Sequence, residues 1–153
     1  MPQLFVSELQ HIKRLAGRLA AHLIERLAAR CTVAPDDTDS LDLMKKFVDH
    51  YPFIQYLTLT DAAGHLVQAV ITDPAYKERY GSLPERGYDY SGREWFKVPM
   101  SNGELHITDV YQSQYTGKLI LSVSKAVTDA RDEIVGVLCG DIQLEEILQR
   151  ATA

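Results

Sequence analysis

At 153 residues the chain has room for one core and one domain, and 46% hydrophobic with 24% charged residues is ordinary globular usage, which excludes disordered and fibrous classes. A formal net charge of -5 argues against non-specific nucleic-acid binding, which depends on Lys and Arg neutralising phosphates. No stretch reaches the roughly 20 apolar residues of a membrane span: the most apolar run near the start, Leu19 to Ile24, is bracketed by Arg18 and Glu25.

From Gln3 to Arg30 there is no proline, and Phe5, Leu9, Ile12, Leu15, Leu19, Leu23 and Leu27 recur at three- and four-residue steps, which predicts one long amphipathic helix over residues 1–30. Such a helix, roughly 42 Å long, exceeds what a small core covers, so part of it is expected to pack on a second copy. A membrane-surface role suits it less, because Glu8 and Glu25 interrupt the basic face.

The run Pro35-Asp36-Asp37-Thr38-Asp39-Ser40 breaks that helix and caps a second, about Leu41 to His50, which ends before Pro52. The aspartates there lack the glycine and closing glutamate of an EF-hand loop. The period then changes: Phe53 to Thr60 and His65 to Thr72 read as a hairpin across the turn Asp61 to Gly64.

Asp73 to Gly92 carries Pro74, Gly81, Pro84, Gly87 and Gly92 among Tyr76, Tyr80, Tyr88 and Tyr90, a long loop that packs through its own aromatics. Three further strands, about Glu104 to Val110, Lys118 to Thr128 and Glu133 to Ile142, and a short helix from Gln143 to Arg150 complete the chain. The expected fold class is α+β: an antiparallel sheet of about five strands, helices on one side, and a body over residues 31–153 in a single domain.

Catalytic chemistry finds little support. His11, His22, His50, His65 and His106 have no partner at ligand spacing, and there is no HExxH, CxxC, GxSxG or GxxxxGK[ST] pattern. Cys31 and Cys139 stand in no metal or redox spacing and are expected as buried free thiols. No catalytic residue, metal or cofactor is expected.

One segment has unusual content. Tyr88-Asp89-Tyr90-Ser91-Gly92-Arg93-Glu94-Trp95-Phe96 collects aromatic rings, an arginine fork and the only tryptophan, groups that orient a small anionic or zwitterionic ligand. On residue types alone the plainer reading is favoured: Trp95 and Phe96 plug the core while Arg93 is solvated or pairs with Glu94 or Asp89. Asp141 adds weight, lying in an apolar strand on the face of Val135, Val137 and Cys139, where a carboxylate is costly without a cation or donors. Capping the last helix is its other available role.

Arg93-Glu94-Trp95-Phe96, Ile107-Thr108-Asp109-Val110-Tyr111, Thr116-Gly117-Lys118 and Gly140-Asp141-Ile142 together resemble the Cache sensory domains, PAS-like modules of bacterial chemoreceptors and sensor kinases, over roughly Phe53 to Leu148. The resemblance is to the membrane-distal ligand-binding subdomain. It implies a PAS-like sheet and a free amino acid or related small carboxylate as ligand. It further implies that Arg93 with Trp95 holds the carboxylate and Asp141 the ammonium, flanked by Tyr88 and Tyr111, with Phe96 where the family more often has tyrosine.

It also implies signalling through the N-terminal helix or a homodimer, with the loop Asp73 to Gly92 closing over the sheet. The family usually carries two such subdomains between membrane spans. One subdomain without a span implies a cytoplasmic sensor if the chain is complete, or a periplasmic one if it is a piece of a receptor. The alternative is a PAS-like partner-binding or dimerisation module with no ligand.

Overall fold

The computed structural model describes residues 6–34, 38–71, 84–112, 117–144 and 146–147. Helix α1 (Val6–Ala28) is followed by α2 (Thr38–His50) and the strands β1 (Ile54–Asp61) and β2 (Leu66–Ile71). Next come helix α3 (Glu94–Asn102), the two-residue strands β3 (His106–Ile107) and β4 (Tyr111–Gln112), and the long strands β5 (Leu119–Thr128) and β6 (Ile134–Gln143).

All strands join one six-stranded antiparallel sheet in the order β2-β1-β6-β5-β3, with β4 also pairing β5. The expected α+β class therefore holds. The expected strand Glu104 to Val110 is not continuous: it divides into β3 and β4, which gives six strands rather than five. Helical structure after the sheet begins at Leu144, and its expected end at Arg150 lies outside the described residues.

Period-two alternation gives the sheet two different faces. On one, Leu57, Leu59, Leu121, Val123, Leu138 and Ile142 pack against Ala20, Ile24 and Leu27 of α1 and Met44 and Val48 of α2. Each such fully buried aliphatic side chain stabilises the fold by about 2 kcal/mol. Gly140 and Gly136 of β6 point the same way, and a Cβ on Gly140 would lie 2.6 Å from Ile24 Cδ1. On Gly136 it would lie 2.0 Å from the carbonyl oxygen of Thr60 on the neighbouring strand β1, so neither position has room for a side chain as the chain stands.

The other face carries Tyr56, Thr58, Ser122, Ser124, Cys139 and Asp141, and on it lies α3, a helix not expected from the sequence. Helices thus cover both faces rather than one. Pro99 inside α3 has no N–H for the carbonyl of Trp95, four residues earlier. That carbonyl accepts a hydrogen bond from Ser124 Oγ instead, at 2.7 Å, clamping α3 to β5. Gly103, at φ 71°, ends the helix with its N–H bonded to the Pro99 carbonyl.

The β1–β2 turn seats the segment that leads into α3. Asp61 Oδ1 accepts from the N–H groups of Ala63 and His65 at 3.0 and 2.9 Å. Gly64, at φ 89°, has Ser91 within 2.8 Å of where a Cβ would stand. No side chain fits there, so residues 87–90 come down against β2. Leu66 N–H donates to the Tyr88 carbonyl, Gly87 N–H to the Leu66 carbonyl and Tyr90 N–H to the Gly64 carbonyl, each at 2.8 Å. The tip of the hairpin thereby fixes Tyr90 and, three residues on, Arg93.

Candidate ligand-binding site

Tyr56, Thr58, Tyr90, Arg93, Glu94, Trp95, Thr108, Tyr111, Gln112, Ile120, Cys139 and Asp141 enclose a cavity of about 440 Å³ on the α3 face of the sheet. That volume falls within the range of small-molecule pockets. Tyr56 and Asp141 belong to one row of paired residues across the strands: Ile71 on β2 opposes Tyr56 on β1, Tyr56 opposes Asp141 on β6, and Asp141 opposes Ser122 on β5. The next row pairs Thr58 with Cys139 and Cys139 with Ser124.

Asp141 accepts a hydrogen bond from Ser122 Oγ at 2.7 Å. Ser122 has one hydroxyl proton, so with Asp141 ionised the 2.5 Å contact between Tyr111 OH and Ser122 Oγ must run from the phenol. The result is a chain, Tyr111 to Ser122 to Asp141, that delivers one donor to the carboxylate. Removal from water still dominates: burial pushes the Asp141 carboxyl up from 3.8 to about 6, against the lowering effects of the Ser122 bond and the Arg93 charge. Burial, then the Asp141 charge, pushes the Tyr111 phenol up as well, and the same two causes raise the Cys139 thiol. Cys139 is therefore an unreactive thiol on the cavity wall.

Arg93 is the N-cap residue of α3, with extended backbone (φ -78°, ψ 139°) and no capping bond from its side chain. It is exposed, lines the cavity, and acts electrostatically on Asp141 without reaching ion-pair distance. The cavity thus brings the exposed Arg93 cation and the Asp141 carboxylate to one space without an ion pair between them, with the exposed Glu94 also on its lining.

Of the residues singled out from the sequence, Arg93, Trp95, Tyr111 and Asp141 come together around this space. Tyr88 and Phe96 do not line it. Tyr88 is 50% exposed, its ring 4.8 Å from that of Tyr90, which in turn contacts Trp95 at 5.3 Å. Phe96 is buried beneath α3. Tyr56, Tyr90, Ser122 and Cys139 were not singled out for the site: Tyr56, Ser122 and Cys139 share the face of Asp141 once β1, β5 and β6 are paired, and Tyr90 is seated by its N–H bond to the Gly64 carbonyl. Tyr76 and Tyr80 lie outside the described residues. Among the described residues no group of His, Cys, Asp and Glu is arranged to hold a metal ion, and no helix is long and apolar enough to cross a membrane.

An antiparallel sheet backed by a long helix, with a polar-aromatic cavity on its opposite face, defines a small-molecule-sensing module. The chain belongs to the Cache domain family, whose sequence profile matches residues 5–152. It is similar to the ligand-binding domain of the amino acid chemoreceptor PctC of Pseudomonas aeruginosa PAO1 in complex with GABA, at 26% identity and TM-score 0.66 over 92% of this chain and 57% of that one. It is also similar to the ligand-binding domain of the Pseudomonas fluorescens chemoreceptor CtaA in complex with L-alanine, at 27% identity and TM-score 0.60 over 90% of this chain and 55% of that one.

A curated relative, named Citrate (Re)-synthase, from Syntrophus aciditrophicus (strain SB), is 36% identical over 97% of this chain. The chain spans only 24% of that protein's length, and little more than half of the solved domains it matches.

Proposed function

We propose that this Cache domain senses a free amino acid or a closely related small carboxylate, binding it without turnover. The observation that carries the reading is the separation of Arg93 from Asp141 across one cavity: two opposite charges that do not meet suit a zwitterion laid between them. Arg93, with the Trp95 ring beside it, takes the carboxylate through its planar fork. Asp141 takes the ammonium, with Tyr111 at its side. Tyr90 rather than Tyr88 supplies the ring of the wall, and Tyr88 and Phe96 act by holding Tyr90 and α3 in place. The relatives solved with GABA and L-alanine support the ligand class.

Transmission through α1 forms part of the same proposal. Leu15 and Leu19 are 51% and 45% exposed on one side of that helix, a surface suited to a second copy of the chain. As the ligand-binding part of a longer receptor, the domain would meet its ligand outside the cytoplasm.

The test is a thermal-unfolding screen against the common amino acids and small carboxylates. A ligand at 100 times its Kd adds about 2.7 kcal/mol, a rise of roughly 5 to 10 °C in a domain of this size. The expected result is a shift for amino acids that Arg93→Ala and Asp141→Ala both abolish. Equal shifts by carboxylates without an amine would remove Asp141 from its role, and no shift with any compound would overturn the ligand-sensing reading.

A further inference from the structure

A second cavity, of about 550 Å³, lies between α1 and the β3–β4 segment. Gln10, Lys13, Arg14, Gly17 and Arg18 form its helical wall, and Ile107, Thr108, Asp109, Val110 and Leu121 face them. Three cations against one carboxylate leave it two positive charges in excess, on a chain whose net charge is -5. None of Lys13, Arg14 and Arg18 has an ion-pair or hydrogen-bond partner among the described residues.

Gly17 is the informative residue. A glycine in mid-helix costs about 1 kcal/mol relative to alanine, and close packing does not demand it, since a Cβ there would make only ordinary contact with Ile107 at 3.8 Å. What the missing side chain does is leave the middle of the cavity open. The floor beyond it is apolar, with Leu121 fully buried and Ile107 and Val110 around it. At 100° per residue, Leu15 and Leu19 project from a different side of α1, so a second copy seated there leaves this cavity free.

We propose that this cavity binds a small dianion, a carboxylate pair or a phosphate carried on a short apolar chain. The two arginines and Lys13 take the charges, and the carbon skeleton lies on Ile107, Val110 and Leu121. Planar guanidinium forks suit both oxyanions. The site stands apart from the amino-acid cavity but touches it: Thr108 lines both.

Calorimetric titration of the chain at constant ionic strength tests this, with glutarate and n-butyl phosphate as the dianions and butyrate as the singly charged control. One or both dianions should bind at least about tenfold more tightly than butyrate, a difference of about 1.4 kcal/mol, and which of them binds identifies the oxyanion. Binding should fall at least about tenfold in Arg14→Gln/Arg18→Gln. It should also be lost in Gly17→Leu, which fills the space while melting no lower than the parent chain. Arg93→Ala should leave it within about twofold, which separates this site from the amino-acid cavity. Loss of dianion binding in Arg93→Ala, its persistence in the double variant or in Gly17→Leu, or no saturable binding by about 10 mM would overturn the proposal.

Discussion

Ser122 Oγ donates to Asp141 Oδ1 at 2.7 Å across directly paired positions of β5 and β6, and behind it stands the phenol of Tyr111. This bond, ahead of the Arg93 charge, holds the Asp141 carboxyl down against the burial that raises it. Ser122→Ala removes it, so the carboxyl should titrate above about 6, and amino-acid affinity at neutral pH should fall by about 5- to 20-fold, a cost of roughly 1 to 2 kcal/mol. NMR titration of the Asp141 carboxyl, with calorimetry of the ligand, reads both; an unmoved titration would remove Ser122 from this role.

Asp141 should also cost the empty domain stability. Its folded value, about 6, lies above its ordinary 3.8, so the folded state holds the proton more tightly between these limits. The stability that Asp141 contributes is fully present below about pH 4 and is lost as pH rises through about 6, a penalty on the order of 3 kcal/mol once the group is ionised. Asp141→Asn should therefore raise the urea midpoint at pH 8 and change it little at about pH 4, while weakening amino-acid binding by about 10- to 100-fold.

Binding should take the opposite pH course from stability. Only ionised Asp141 pairs with an ammonium, so affinity should be level above about pH 7 and decline by up to about tenfold per pH unit below about 6, with proton release on binding in that range. Calorimetry in buffers of different ionisation enthalpy measures the proton directly. In Asp141→Asn the slope should vanish; a slope that survives the substitution would place the titrating group elsewhere.

The two glycines of β6 should differ in their tolerance. A methyl group on Gly136 meets the Thr60 carbonyl and must move a strand, whereas on Gly140 it meets the end of the Ile24 side chain, which can turn. Gly136→Ala should cost about 3 kcal/mol or more and Gly140→Ala about 1 to 2 kcal/mol by chemical denaturation. Equal costs would show that the end of β1 near Thr60 yields more easily than its close contacts imply.

Where local pattern and tertiary environment agree, the sequence is readable. The β1–β2 hairpin, β5, β6 and both N-terminal helices stand within a few residues of their expected places, because their apolar periods are strong and their turns carry Asp and Gly. Helix α3 is hidden because its residues argue against it: Trp95, Phe96 and Val98 are poor helix formers and Pro99 breaks the ladder. It forms because Ser124, distant in sequence, satisfies the carbonyl that Pro99 leaves open. Glu94 in the first turn and Gly103 at the end were the available signals.

The site divides in the same way. Arg93, Trp95, Tyr111 and Asp141 were legible as residue types, but Ser122 acquires meaning only from the pairing of strands. Tyr88 and Tyr90 cannot be told apart without the contacts at Gly64 that seat the segment.

Strand β6 is a partition one peptide thick. Asp141 stands on one surface of it and the bare backbone of Gly140, under Ile24 of α1, forms the other. Most sheets place two layers of side chains between a bound molecule and the helix behind it, and those layers absorb small displacements. Here no side chain of β6 intervenes at that point, so Ile24 of the helix rests directly on the backbone of the strand that carries the carboxylate.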